Sequence, residues 1–340
     1  MTALWKRIAG LELVVEGYAL ERLQAFERVT TLFVLSGAGE TGSSEDIGLP
    51  ESQDALAAAG PYLELAGTWT LEGFCDHLAT LDQFKEQEVE WEMARNWRNW
   101  AFEAAALDLA LRQAGLTLPA VLDREARPLR FVNSLGLGDP PSVERIARRV
   151  ALNPTVGFKL DAGVSWTPEI VGELATLDRV RTVDFKGRYG MEVPDTDTLV
   201  AMYRAVLDAF PDALLEDPHD LPEIDAVLEP VRDRVSFDAP ITRVADVTTR
   251  TINVKPSRIG GLRPLFEIYE HCAANGIAMY GGGMGELGIA RGQIELLASL
   301  FHPDADNDVA PSEFNAPELE AALPASPLAP PELSPGFRWG

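Results

Sequence analysis

The chain has 340 residues and carries 53 Asp and Glu against 29 Lys and Arg, a formal charge of −24. That balance excludes a nucleic-acid or anionic-membrane surface as partner, because both need a positive protein face to offset repulsion. Cys75 and Cys272 lie far apart with neither metal-ligand nor redox spacing and fit a reducing compartment.

Glu12, Glu16 and Glu21 interrupt the apolar N-terminal stretches before a signal-peptide core or membrane span can form, so the expected location is cytoplasmic. The length predicts two domains, or one barrel with an attachment. The β-branched, apolar runs at 11–16 and 29–35 read as antiparallel strands, and 36–46 as a glycine-rich loop. From about residue 73 to 115 the pattern turns helical, most clearly over 99–114, where Ala, Leu and Glu dominate before Gly115. Trp91, Trp97 and Trp100 recur there at helical spacing and read as packing at a domain interface. Strands followed by helices predict a small α+β domain over 1–125.

Beyond residue 125, short apolar runs alternate with helical segments. Strands are expected at 129–133, 156–160, 180–183, 213–215, 235–237, 251–254 and 277–280, with clear helices at 196–210 and 262–275. Such βα alternation argues for a parallel sheet closed into a (β/α) barrel, whose active site forms at the C-terminal strand ends. The interval from Asp238 to Lys255 is too short for a full unit of about 30 residues, so the fifth crossover is expected to be a short helix or turn.

The strand-end rule puts Lys159, Asp161, Asp184, Lys186, Glu216, Asp238 and Lys255 on one rim. A single strand-end acid is more often a helix cap than a ligand, which is how Asp217 and Asp220 read. Three acids in register followed by a lysine reverse that weighting. Asp184, Glu216 and Asp238 match the oxygen donors that Mg²⁺ prefers. A cation so held could bind a substrate carboxylate and take up charge as the α-proton leaves. Lys255, near a metal and away from bulk water, could accept that proton. The glycines at 281–283 could instead cradle a phosphate, although the Lys and Ser/Thr of a nucleotide loop do not follow.

Four segments in this order resemble the enolase superfamily, specifically the mandelate racemase and muconate lactonizing enzyme family. They are Ala-Leu-Asp-Leu-Ala-Leu at 106–111, Leu-Leu-Glu-Asp-Pro at 214–218, Asn-Val-Lys-Pro-Ser-Arg-Ile-Gly-Gly-Leu at 253–262 and Gly-Gly-Met-Gly-Glu-Leu-Gly at 282–288. The resemblance implies an N-terminal α+β capping domain (1–125), a modified TIM barrel of (β/α)₇β type (126–322), and a tail (323–340) returning to the capping domain. It also implies Mg²⁺ on Asp184, Glu216 and Asp238, Lys255 as acid/base, Lys159 within the site, and Glu286 at the acidic position of the seventh-strand loop. The substrate would be a small-molecule carboxylate, and homo-oligomers are common in the family. A sixth-strand lysine points to the muconate lactonizing subgroup, which also holds o-succinylbenzoate synthases, acylamino-acid racemases and dipeptide epimerases.

Two departures bear on the chemistry. The family's second strand usually ends in Lys-x-Lys and its third gives Asp-x-Asn, whereas this chain has Lys159-Leu-Asp161 and Asp184-Phe-Lys186. Lys186 is therefore expected to supply the second ammonium, with Asp161 as its ion-pair partner. Racemisation needs proton transfer on both faces, so the change favours a lyase (β-elimination or dehydration) or cycloisomerase outcome through an ene-diolate. A racemase or epimerase using Lys186 as second base, and a non-catalytic binding descendant of the fold, are the alternatives. Loops of the capping domain select the substrate in this family. Here that role falls to 37–51 and residues near Arg22, where no basic anchor stands out.

Overall fold

Alanine and leucine on nearly every face of the segment Met93–Ala114 build a helix that solvent barely reaches. The computed structural model describes residues 2–85, 89, 91–190, 195–316, 319 and 323–339. In it, that helix is α4, the spine of the N-terminal domain. It follows α1 (Ala3–Ala9), α2 (Pro50–Ala59) and α3 (Leu71–Leu78) and precedes α5 (Leu118–Leu122). It stops where Gly115 turns left-handed, with φ of 68°.

Two antiparallel sheets pack on it. Strand β1 (Glu12–Val15) pairs with β5 (Gly67–Thr70), while β2 (Gly17–Ala25), β3 (Arg28–Gly37) and β4 (Glu40–Asp46) form a separate meander. The two apolar runs are thus both strands, but they do not pair with each other. The polar stretch between them is β2, and most of the expected loop at 36–46 is β4.

Strand β4 escaped recognition because its buried side chains are polar and find their partners in the barrel. Ser44 bonds Gln293 at 2.7 Å, and Glu45 accepts from Leu287 N, Gly288 N and Ala290 N. Those three N–H groups open a barrel helix, so Glu45 supplies a cap from another domain. Gly42 lets this strand lie against α4: a Cβ there would stand 2.2 Å from Leu109 N.

Seven parallel strands follow in consecutive order: β6 (Val132–Gly136), β7 (Gly157–Asp161), β8 (Val180–Asp184), β9 (Leu214–Glu216), β10 (Val235–Phe237), β11 (Thr251–Val254) and β12 (Ala278–Gly281). The crossovers carry α6 (Glu144–Leu152), α7 (Pro168–Thr176), α8 (Thr196–Ala209), α9 (Pro222–Leu228), then α10 (Pro256–Ile259) with α11 (Leu262–Asn275); α12 (Ile289–Phe301) follows the last strand. As the spacing predicts, the fifth crossover holds only a 3₁₀ turn at Val244–Asp246.

Between β12 and β6 the ring is closed by two residues. Asn307 bridges Phe131 and Asp308 bridges Gly282, with Asp308 N donating to Gly281 O at 2.7 Å. This reduced eighth strand makes the (β/α)₇β barrel capped by an α+β domain that the sequence predicts.

One apolar core runs through both domains, joining Trp5, Leu35 and Trp100 to Ile252, Phe266 and Leu296, while a second fills the barrel around Phe131, Phe158 and Leu215. Trp97 sits in a small cluster with Phe84, and Trp91 is largely exposed. The C-terminal stretch reaches α4, where Phe337 is buried and its N–H donates to Asp108 Oδ1 at 2.8 Å. The expected tail boundary at residue 322 lies outside the described residues. Cys75 and Cys272 are both buried thiols. Among the described residues no helix is long and apolar enough to cross a membrane.

Candidate active site

Each barrel strand from β7 to β11 delivers a charged group at or just past its C-terminal end. Asp184 ends β8, Glu216 ends β9 and Asp238 follows β10, and all three are fully buried. Buried carboxylates persist only when paired, and here cations lie over them. Lys159 of β7 contacts Glu216 Oε1 and stands 3.2 Å from Asp184 Oδ2 and 3.4 Å from Asp308 Oδ2. Lys186 contacts Asp184 Oδ2 and lies 3.2 Å from Asp161 Oδ1. Lys255 is 2.8 Å from Asp238 Oδ2, while Arg258 Nε is 3.2 Å from Asp238 Oδ1.

The electrostatics follow from burial set against these pairs. Burial pushes the Glu216 carboxyl up to about 8, with Lys159 pulling against it and Asp184 and Asp238 adding repulsion. At Asp184, burial also works upward but is overcome by Lys159 and Lys186, which hold it down to about 2. At Asp238 burial is overcome by Lys255 and Arg258, which keep the carboxyl well below its usual range. Tyr280 and Asn253 also donate to Glu216 Oε2.

The donor set suits a hard divalent cation, since it consists of carboxylate oxygens alone. Oxygens of Asp184, Glu216 and Asp217 lie within 4.8 Å of one another. Asp217, however, sits at a turn with φ of 46°, and its two oxygens accept the backbone N–H of Asp238 at 2.9 Å and of Ala239 at 2.8 Å, the cap behaviour its position predicts. Asp238 Oδ1, by contrast, is buried and accepts no hydrogen bond, its contact with Arg258 being a charge contact at a poor angle.

Above the carboxylates opens a cavity of about 1060 Å³, walled by Lys159, Asp161, Lys186, Tyr189, Lys255 and Arg258, among others. Lys186 and Lys255 therefore face one space. The capping domain reaches it through the β2–β3 turn at Phe26, Glu27 and Arg28. The expected loop at 37–51 does not line it, and Arg22 is engaged by Asp54.

Glu286 does not line the cavity. Its carboxylate accepts from Ser257 Oγ at 2.8 Å, Met284 N at 2.7 Å and Gly285 N at 3.0 Å, which ties the loop after β12 to α10. A phosphate cradle at 281–283 is overturned, because all three N–H groups are taken, by Asn307 Oδ1, Val254 O and Asp308 O. The glycines provide room: a Cβ on Gly282 would stand 2.7 Å from Lys255 Cε.

Sequence reasoning passed over Arg258, Tyr189 and Asp308. Arg258 lies one helical turn after Lys255 within the motif already singled out, so its spacing was a usable signal. Tyr189, which donates to Asp238 Oδ2 at 3.0 Å, and Asp308 stand in segments without periodicity.

Family models described as the C-terminal and N-terminal domains of a domain of unknown function, DUF8230, match residues 125–316 and 6–121. The chain belongs to the DUF8230 family. This DUF8230 protein is 25% identical over 246 residues to an o-succinylbenzoate synthase of Geobacillus stearothermophilus, an alignment covering 66% of this chain and 63% of that enzyme. Its fold matches a dipeptide epimerase of Enterococcus faecalis V583 with a TM-score of 0.70 at 16% identity, covering 96% and 99% of the two chains. A muconate cycloisomerase of Pseudomonas fluorescens matches at 0.64 and 18% identity, covering 88% and 87%. The DUF8230 protein accordingly has the capped-barrel fold of these enolase-superfamily and muconate cycloisomerase structures, and its sequence is similar to that of an o-succinylbenzoate synthase.

Proposed function

We propose that the protein abstracts a proton α to a carboxylate of a small-molecule substrate with the aid of Mg²⁺, and that the outcome is β-elimination or cycloisomerisation. The observation that carries this reading is Lys255, which lines the cavity with its Nζ 2.8 Å from Asp238 above three buried strand-end carboxylates. Asp184, Glu216 and Asp238 would hold the ion, which when bound supplies positive charge against the negative charge growing on the substrate carboxylate.

Lys255 Nζ, as the neutral amine, takes the α-proton and becomes the ammonium that Asp238 balances, its stem positioned by the space above Gly282. Lys159 and Lys186 keep the carboxylate ring compact and add fixed positive charge toward the cavity floor. Lys186 stands between Asp184 and Asp161, an arrangement that favours its charged form and so a cationic rather than a basic role. Because Lys186 lines the same cavity as Lys255, racemisation or epimerisation with Lys186 as second base is the alternative.

Incubation with Mg²⁺ and a panel of carboxylic acids in D₂O, followed by NMR, tests the proposal. Deuterium enters the α-position of at least one acid with wild-type protein, and Lys255→Ala lowers that rate about 10³-fold. Absence of exchange across the panel together with absence of Mg²⁺ binding, or full exchange in Lys255→Ala, overturns it.

A further inference from the structure

One wall of the cavity carries three arginines that, among the described residues, have no ion-pair partner. Arg145, Arg148 and Arg149 of α6 all line it, beside Asn133 and Ser134 of β6. Among the described residues no carboxylate forms an ion pair with any of the three. Arg145 donates to Gly136 O at 3.1 Å, and Arg149 to Arg145 O at 3.0 Å and Phe314 O at 3.1 Å. Arg149 is 8% exposed, yet its Nε has no hydrogen-bond partner. Burial and the neighbouring Arg145 and Arg148 charges both work against its protonated form.

In a chain with 53 acidic side chains against 29 basic ones, three neighbouring arginines without an ion pair among the described residues, even though Glu144 lies on the same helix, run against composition. A buried guanidinium held by backbone carbonyls, with a donor left over, is unfavourable until an anion arrives. The two carbonyl bonds also fix the orientation of the guanidinium, so it meets an incoming anion without a search through rotamers.

We infer that this wall is a subsite for a phosphomonoester carried by the substrate, remote from the carboxylate that reacts at Lys255; the inference rests on the proposed chemistry for that second end. One guanidinium suffices to match a carboxylate in bidentate fashion. Three in one patch match the three terminal oxygens and the charge of roughly −1.5 to −2 of a phosphate monoester. The glycine run at 281–283 offers no N–H to such a group, and the α6 arginines, unlike Lys159, Lys186, Lys255 and Arg258, have no carboxylate ion pair among the described residues. A cavity of about 1060 Å³ exceeds the upper bound of about 1,000 Å³ common for small-molecule sites and has room for a substrate with two anionic ends.

Binding of inorganic phosphate to the full chain, measured by calorimetry at constant ionic strength with acetate as control, decides the matter. Wild-type protein binds phosphate at least tenfold more tightly than acetate, and Arg148→Met and Arg149→Met each weaken phosphate binding tenfold or more. Arg148 is exposed, so its replacement leaves folding intact and decides the question even if Arg149→Met does not fold. Lys255→Ala keeps the phosphate affinity while losing α-proton exchange, which separates this inference from the catalytic one. Phosphate binding no tighter than acetate, or equal in wild type and Arg148→Met, or lost in Lys255→Ala alone, overturns the subsite.

Discussion

Lys186 Nζ stands 3.2 Å from Asp161 Oδ1, so the third barrel strand supplies the ammonium that answers the carboxylate at the end of the second. The pair has the look of a lysine moved by one strand, with an acid left to hold it in place. If Lys186 acts as a fixed cation, Lys186→Ala retains α-proton exchange within about tenfold of wild type, whereas Lys255→Ala loses about 10³-fold. Deuterium incorporation into each enantiomer of a chiral substrate checks this. Selective loss of exchange from one enantiomer in Lys186→Ala would assign the second base instead.

Gly282 gives a way to move Lys255 without removing its charge. The methyl group of Gly282→Ala meets Lys255 Cε at 2.7 Å and Asn253 Oδ1 at 2.8 Å. Displacement of the ammonium by a few tenths of an ångström to one ångström is expected to slow proton transfer by about 10- to 100-fold. Steady-state rates measured beside thermal melts separate this from unfolding, and an unchanged rate contradicts the placement.

Mg²⁺ is expected to raise the melting temperature of the wild-type protein, since an ion at 100 times its Kd adds about 2.7 kcal/mol to folding stability. Asp184→Asn and Asp238→Asn each abolish that increment, and Asp217→Asn retains most of it because the Asp217 carboxylate is engaged by backbone N–H groups. Melting curves with and without EDTA read the difference.

Glu295 on α12 offers a pH test away from the carboxylate ring. Burial raises its carboxyl to about 7, with Arg291 pulling down and Glu313 pushing up. The native state therefore keeps a proton that the unfolded chain has released above its ordinary value of 4.5. Stability linked to this group is full below that value and is lost as pH rises toward 7, by about 3 kcal/mol in all. Glu295→Gln removes that loss, so its melting temperature exceeds wild type at pH 8 and converges with it near pH 4. Parallel curves across that range would contradict the assignment.

The barrel was legible because parallel strands are buried on both faces and read as short apolar runs. All seven appear where the sequence places them, except that the first begins at Val132 rather than 129. Leu129 lies earlier, in an antiparallel bridge to Leu328 of the C-terminal stretch, a contact no local pattern announces. The strand-end acids and lysines were legible from the same rule of topology. Strand β4 was not, because Ser43, Ser44 and Glu45 are buried among distant hydrogen-bond partners rather than apolar ones. The α6 arginines were not singled out in the sequence, and only the tertiary structure shows that they form no ion pair among the described residues.

Asp108, fully buried in α4, joins segments from both ends of the chain. It accepts Ser43 N at 2.9 Å, Phe337 N at 2.8 Å and the Arg338 guanidinium at 2.7 Å. The domain made first on the ribosome thus contains a carboxylate whose counter-charge is synthesised more than two hundred residues later. Its central helix can form early, but its final packing must wait for the barrel to be made, so the two domains are expected to mature together rather than in order of synthesis.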